Sequence, residues 1–167
     1  MTTSVDTALL DPDHLLRLAD PSEYGAYGEM LDDAFTTGCW VTEEYRAGLH
    51  QIARRAKSSF VWVVEQLSSH ELVAGILTPH PDEIRGGIST FNILGVATAG
   101  RGLGLGHKLV EHAIAQARYN GAESLSINSS PHMTHAHRLY YQHGFVRRIE
   151  RETKVVDRGQ RLFSFEL

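Results

Sequence analysis

The sequence predicts an α+β fold with a mixed, mostly antiparallel central sheet flanked by helices. Short runs of β-branched and aromatic residues predict strands, two segments with helical spacing of apolar residues predict helices, and glycines or prolines separate them. The predicted order is roughly β-α-α-β-β-β-α-β-α-β-β. The 167 residues suit one compact domain. We expect a flexible N-terminus over residues 1–12 and a single domain over residues 13–167.

The composition is that of an ordinary globular protein, with 42% hydrophobic and 22% charged residues and a net charge of −4. A nucleic-acid-binding domain usually has a basic excess, so this class is disfavoured. The apolar stretches, such as residues 72–77, are far shorter than the roughly 20 residues that span a bilayer, and residues 1–12 do not resemble a signal peptide. The single cysteine, Cys39, excludes an internal disulfide. We therefore expect a cytoplasmic protein that binds neither nucleic acid nor membranes.

A short strand over residues 14–18 precedes the first predicted helix. Asp20 begins this helix because it can cap backbone N–H groups, Pro21 suits the first helical position and Glu23 completes a capping box. The helix is expected to end near Phe35.

A second helix is expected from Thr42, with acidic residues in its first turn and basic residues at its end. Residues 60–64 and 72–77 then form a hairpin with a turn at residues 68–70. A further strand is expected over residues 88–96.

A helix begins at Leu105, where apolar residues recur at helical spacing, and ends at Gly121. The remaining predicted elements are a strand, a helix and two strands joined by a turn around residues 157–159. They cover residues 124–128, 130–143, 145–156 and 161–167.

Four alternating glycines stand between a predicted strand and a predicted helix: Gly100, Gly102, Gly104 and Gly106. Glycine permits positive φ and lets a ligand approach the backbone closely. The free N–H groups of a first helical turn carry about half a unit of positive charge. This segment therefore favours a phosphate or pyrophosphate, with added charge from Arg101, His107 and Lys108. The alternative is that the glycines serve only tight packing.

The spacing of the glycines narrows the class of anion. The dinucleotide motif G-x-G-x-x-G fails because Leu105 or His107 occupies its third glycine position, and the P-loop motif lacks its Ser or Thr. The pattern Arg-x-x-Gly-x-Gly is met by Arg101, Gly104 and Gly106.

This pattern resembles the acetyl-CoA loop of the GNAT superfamily of N-acetyltransferases. A second family motif, Ala-x-x-Leu-Tyr-x-x-x-Gly-Phe, is matched by Ala136, Leu139, Tyr140, Gly144 and Phe145. The resemblance is specific over residues 60–167. It implies the GNAT fold, acetyl-CoA as co-substrate, and transfer of the acetyl group to a primary amine by direct attack in a ternary complex.

The resemblance also implies site residues. Tyr140 would be the general acid that protonates the leaving thiolate, and a backbone N–H of Val96 would face the oxyanion. Backbone groups of Leu94 and Val96 would hold the pantetheine arm, and amides of residues 101–107 the pyrophosphate. The cofactor-binding residues implied are Leu94, Val96, Arg101, Gly102, Leu103, Gly104, Leu105, Gly106 and His107. His132 and His135 lack a nearby cysteine or acid, so no metal is expected.

Two departures from the family pattern leave alternatives open. Met133 stands where the family often has Asn, and the strand around Asn92 lacks the acid that often serves as the base. One alternative is a catalytically silent protein that binds or senses acyl-CoA; another is a nucleotide-dependent enzyme.

The acceptor is expected to be a small-molecule or peptide amine, and the net charge of −4 favours a cationic one. Aromatic residues near the first two helices occupy the region that often shapes the acceptor site in this family: Tyr24, Tyr27, Phe35, Trp40 and Tyr45. Many family members are homodimers, so the resemblance implies that this chain can also form a homodimer.

Overall fold

The computed structural model describes residues 7–38, 40–155 and 161–167. The strands in these ranges are β1 (Thr7–Asp11), β2 (His14–Leu18), β3 (Ser59–Gln66), β4 (Glu71–Pro79), β5 (Ile88–Ser89), β6 (Asn92–Val96), β7 (Ser124–Ser129), β8 (Val146–Arg147) and β9 (Phe163–Glu166). The helices are α1 (Tyr24–Gly38), α2 (Glu43–Leu49), α3 (Ile52–Arg55), α4 (Leu105–Tyr119) and α5 (Thr134–Gln142). None of these helices is long and apolar enough to cross a membrane.

The strands form two sheets, one in the order β1-β2-β3-β4-β6 and the other in the order β5-β7-β9-β8. The pair β5–β7 is parallel, and the other strand pairs are antiparallel. The predicted α+β fold with a mixed, mostly antiparallel sheet flanked by helices is confirmed.

The central strand β3 is apolar over residues 60–64 because helices cover both of its faces. Val61 and Val63 pack in a cluster with side chains of α1, α2 and α3. Trp62 and Val64 point the other way and pack in a second cluster with α4. The five-stranded sheet therefore has a core on each face.

The N-terminal segment differs in part from the prediction. Residues predicted as a flexible terminus form β1, which pairs antiparallel with β2, because Leu10 packs against the core. The capping box is confirmed: the Asp20 carboxylate accepts from the Ser22 N–H at 2.9 Å, and the Glu23 carboxylate accepts from the Asp20 N–H at 2.8 Å. A 3-10 turn leads from this box into α1, which ends at Gly38.

The single helix predicted from Thr42 is two helices. Thr42 caps α2 as expected, but α2 ends at Leu49, and the non-helical backbone of Gln51 (ψ 42°) separates it from α3. The break allows Leu49 and Ile52 both to be fully buried in one cluster. Cys39 lies outside the described residues.

The strand predicted over residues 88–96 is also divided, and its halves belong to different sheets. β5 pairs with β7, whereas β6 pairs with β4. The chain crosses between the sheets at Thr90 and the buried Phe91, and Ile93 has a positive φ of 51° at an irregularity in the β4–β6 register. This crossing separates β6 from β7 and leaves a cavity between them.

The C-terminal elements are shorter than predicted. α4 begins at Leu105 and is followed by Gly121 at φ 73°, as expected, but α5 begins only at Thr134. The strand predicted over residues 145–156 is β8 followed by a 3-10 turn. This turn buries Glu152, whose carboxylate accepts from Arg147 at 2.7 Å. The turn predicted around residues 157–159 lies outside the described residues.

His112 on α4 makes the stability of the fold depend on pH. Its ring packs edge-on against Trp62 at 4.2 Å, and its buried Nε2 has no hydrogen-bond partner among the described residues. Burial lowers its pKa from 6.5 to about 4. Between these values the unfolded chain binds a proton that the folded chain does not, so stability falls as pH falls.

We predict that His112→Phe removes this dependence. Between pH 6.5 and 4 the free energy of unfolding of the wild type should fall more steeply than that of the variant, by up to about 1.4 kcal/mol per pH unit. Urea unfolding at a series of pH values measures both slopes. Equal slopes would show that His112 titrates normally in the folded protein.

Candidate active site

A cavity of about 730 Å³, here called the main cavity, lies between β6 and β7. Its walls come from both of these strands, from α5, and from residues of α1, α2 and α3. A second space of about 340 Å³, the glycine-loop pocket, lies at the start of α4. The two spaces share Val96, Arg101, Gly106, His135 and Leu139. They therefore adjoin and form one cleft.

The glycine loop exposes the first turn of α4 to this cleft. Gly102 and Gly104 have positive φ values of 76° and 75°, which glycine adopts without steric cost. The helical hydrogen bonds begin with the Lys108 N–H, which donates to the Gly104 carbonyl at 3.2 Å. The N–H groups of residues 105–107 precede this bond and have no acceptor in the part of the chain that the structure describes. They are available to an anion.

Arg101 fixes the loop to α1. Its guanidinium donates to the Thr37 hydroxyl at 2.7 Å and to the Ala34 carbonyl at 3.1 Å. Its own N–H donates to the Thr98 carbonyl at 3.3 Å, and the Thr98 N–H donates to the Asp33 carboxylate at 2.8 Å. Arg101 lines the cleft but acts mainly as a link between α1 and the loop.

Basic side chains surround the glycine-loop pocket, and Arg138 among them was not predicted. His107 lines the pocket as expected, together with His135 and Arg138 of α5. Residues 135, 138, 139 and 142 share one helical face, but the sequence does not show that this face meets the start of α4. Of the other predicted residues, Leu103 and Lys108 are not among the residues lining either space.

β6 is an edge strand of its sheet, and both Leu94 and Val96 line the main cavity. One side of β6 pairs with β4, with Val96 opposite Ala74 and Gly95 opposite Gly75. The other side pairs with no strand among the described residues, so its backbone groups are available to an extended ligand.

Tyr140 lies on α5 at the wall of the main cavity and is 6% exposed. Its ring contacts Phe91 and Phe145, each at 5.8 Å, and Phe165 at 5.5 Å. Burial raises its pKa well above the ordinary value of 10, with a smaller contribution from Tyr45. The phenol therefore stays protonated at neutral pH and can donate a hydrogen bond.

A buried serine–histidine pair, which the sequence did not reveal, lies beside Tyr140. The Ser129 hydroxyl and His137 Nε2 are 3.1 Å apart, and the same ring is hydrogen-bonded to the backbone of Ser130. Burial lowers the pKa of His137, so the ring is neutral at pH 7 and Nε2 can accept from the serine. Ser129 lines the main cavity. The two residues meet only through the packing of α5 on β7.

The predicted aromatic region is only partly at the site. Phe35 and Tyr45 line the main cavity, with ring centroids 5.5 Å apart. Tyr27 is instead fully buried in the core, under Gly75. Within the described ranges, no group of three His, Cys, Asp or Glu side chains could hold a metal ion.

The family of the chain follows from its sequence match. The acetyltransferase (GNAT) family model matches residues 26–145, so the chain belongs to the GNAT acetyltransferase family. Enzymes of this family use acetyl-CoA as co-substrate. A search of curated protein sequences found no significant match.

Solved structures share the fold at low sequence identity. The ribosomal-protein-S18-alanine N-acetyltransferase of Escherichia coli is 16% identical, with 92% of each chain covered and a TM-score of 0.68. The ribosomal-protein-S5-alanine acetyltransferase of Vibrio fischeri is 11% identical, covers 96% of this chain and 95% of its own, and has a TM-score of 0.72. A Salmonella typhimurium protein with its cofactor acetyl-CoA is 22% identical, with 93% of each chain covered and a TM-score of 0.63.

We predict that Gly104→Ala destabilises the protein by about 1–2 kcal/mol. This position requires a left-handed backbone, which is less stable for alanine than for glycine. A Cβ at Gly104 would meet no atom within 4 Å, so the cost is conformational and not steric. Gly25→Ala is the matched control, since Gly25 lies in α1, is equally free of neighbours and has no positive φ. It should raise stability by about 0.5–1 kcal/mol. Urea unfolding compares the two variants, and destabilisation of equal size in both would contradict the assigned loop conformation.

Proposed function

We propose that the protein is an acetyl-CoA-dependent N-acetyltransferase that moves the acetyl group to a primary amine by direct attack in a ternary complex. One observation carries this proposal. A single cleft connects the open N-terminus of α4, the free edge of β6 and Tyr140. These are, in order, sites for a diphosphate, an extended arm and a reacting thioester.

The cofactor is proposed to lie along this cleft. Its pyrophosphate would accept from the amides of the segment from Arg101 to His107, chiefly those of residues 105–107, with Arg138 supplying charge at the rim. Its pantetheine arm would follow β6 and bond to backbone groups of Leu94 and Val96. The Salmonella typhimurium protein of the same fold carries acetyl-CoA, which supports the choice of this cofactor.

The chemistry requires two proton transfers. An alkylammonium with a pKa near 10.4 is neutral in only about one molecule in 10³ at pH 7, a cost of roughly 4–5 kcal/mol. The leaving thiolate must gain a proton, and Tyr140 is proposed to donate it. Burial raises the pKa of a thiol as it raises that of a phenol, so the two proton affinities rise together in the cavity. A backbone N–H, assigned to Val96, would stabilise the oxyanion.

Tyr140→Phe is predicted to lower turnover by about 10²-fold, because a general acid typically contributes 10²–10⁴-fold. The affinity for coenzyme A should change little, since the phenol faces the thioester and not the diphosphate. Thiol release in the presence of an amine measures turnover, and calorimetry measures affinity. Tyr141→Phe is the control, because Tyr141 is adjacent on α5 and 53% exposed. Unchanged turnover in Tyr140→Phe would remove the acid role.

The alternative of a silent acyl-CoA-binding protein rests on the absence of a carboxylate on β6, which reads Asn92–Val96. A panel of amines incubated with acetyl-CoA separates the two functions. Thiol release with any amine supports the enzyme. Tight binding of coenzyme A without release on any amine supports the silent protein.

A further inference from the structure

The main cavity has an end that faces away from the glycine loop, here called the acceptor end and lined by Arg55, Thr90, Asn92 and Lys154. None of these residues lines the glycine-loop pocket. If acetyl-CoA occupies the cleft as proposed above, this end receives the amine.

The strand register places Arg55 at this end. Ser59 is opposite Pro79, and Leu77 is opposite Asn92, so these residues share one end of the sheet. Arg55 ends α3 just before Ser59 and therefore lies at the same end. Val96, opposite Ala74, lies toward the other end, where the glycine loop begins.

Lys154 reaches the cavity from the opposite wall. Its carbonyl accepts from the Leu162 N–H at 3.0 Å, next to β9. β9 is paired with β7 so that Phe163 is opposite Ser129, and Ser129 also lines the main cavity. The two cations therefore come from separate elements, α3 on one side and the segment before β9 on the other.

The charge of the acceptor end is positive in the described part of the chain. No Asp or Glu of the described residues lines the main cavity. Among the described residues, the carboxylate nearest in sequence to Lys154 is that of Glu152, which is engaged with Arg147 at 2.7 Å.

Neither cation at the acceptor end has an anionic partner among the residues that the structure describes. Arg55 makes one long bond, from Nε to the Gly48 carbonyl at 3.4 Å, and neither it nor Lys154 has an ion pair within the described ranges. Arg55 is half-buried, and Lys154 is exposed. Cations without counterions attract an anion, and a guanidinium binds carboxylate or phosphate with two parallel hydrogen bonds.

We propose that the acceptor is an amine that also carries an anionic group, a carboxylate or a phosphate, and that Arg55 and Lys154 bind this group. This inference rests on the proposed function and names the substrate class of the same site. It replaces the cationic amine that the net charge of −4 favours, because the charge at the cavity wall is opposite in sign to that of the whole chain.

Matched pairs of amines test the proposal by thiol release from acetyl-CoA. One arm compares common amino acids with their carboxamides, and the other compares phosphoethanolamine with ethanolamine. In at least one arm the anionic member should have a kcat/KM higher by about tenfold or more, the usual effect of one charge-assisted hydrogen bond. The amine of an amino-acid carboxamide is less basic than that of the amino acid, so a larger fraction of it is neutral and reactive at pH 7. A difference in amine ionisation would therefore favour the carboxamide and cannot explain a preference for the amino acid. The arm that responds identifies carboxylate or phosphate.

Variants locate the effect. Arg55→Gln and Lys154→Gln should each raise KM for the anionic amine by about tenfold and leave the neutral partner of the pair unchanged. Arg54→Gln is the control, because Arg54 is an exposed neighbour on α3 that does not line the cavity. Equal or better reaction of neutral or cationic amines in both arms, or variants that leave the preference intact, would overturn this inference alone. If none of the tested amines supports thiol release, the proposed function is overturned, and this inference with it.

Discussion

The open N-terminus of α4 is the constraint on which the rest of the site depends. Unbonded N–H groups of a first helical turn are costly when buried and favourable when they face an anion. The fold keeps them at the cleft by linking the loop before α4 to the last turns of α1, through Arg101 on Thr37 and through Thr98 on Asp33. Glycines with positive φ at positions 102 and 104 complete the turn. Arg101 therefore holds the loop in position, and the backbone N–H groups remain available to a ligand.

The second constraint is the crossing of the chain between the two sheets at Thr90 and Phe91. It leaves β6 with a free edge and separates it from β7, which opens the main cavity. Side chains that meet there come from distant parts of the chain. The open helix end, the free strand edge, Tyr140 and the two cations are then arranged along one cleft, in the order that the proposed acetyl transfer requires.

The features that could be predicted from the sequence are those fixed by neighbouring residues. The capping box at Asp20, the glycine that ends α4 and the glycine loop all depend on the local backbone, and the structure has them where expected. The crossing within residues 88–96 was missed because β5 and β6 have the same strand pattern. Arg138 lines the glycine-loop pocket, and His137 meets Ser129, only through the packing of α5, which no local pattern encodes. The whole-chain charge was likewise uninformative about the cavity wall.

The most direct test of the central claim is a titration of isotopically labelled protein with coenzyme A, followed by the backbone amide resonances. We predict that the largest amide proton shifts occur at residues 102–107, and that inorganic pyrophosphate alone moves the same resonances in the same direction. Saturation with coenzyme A that leaves these amides unmoved would contradict a diphosphate site at the start of α4, as would the absence of any binding.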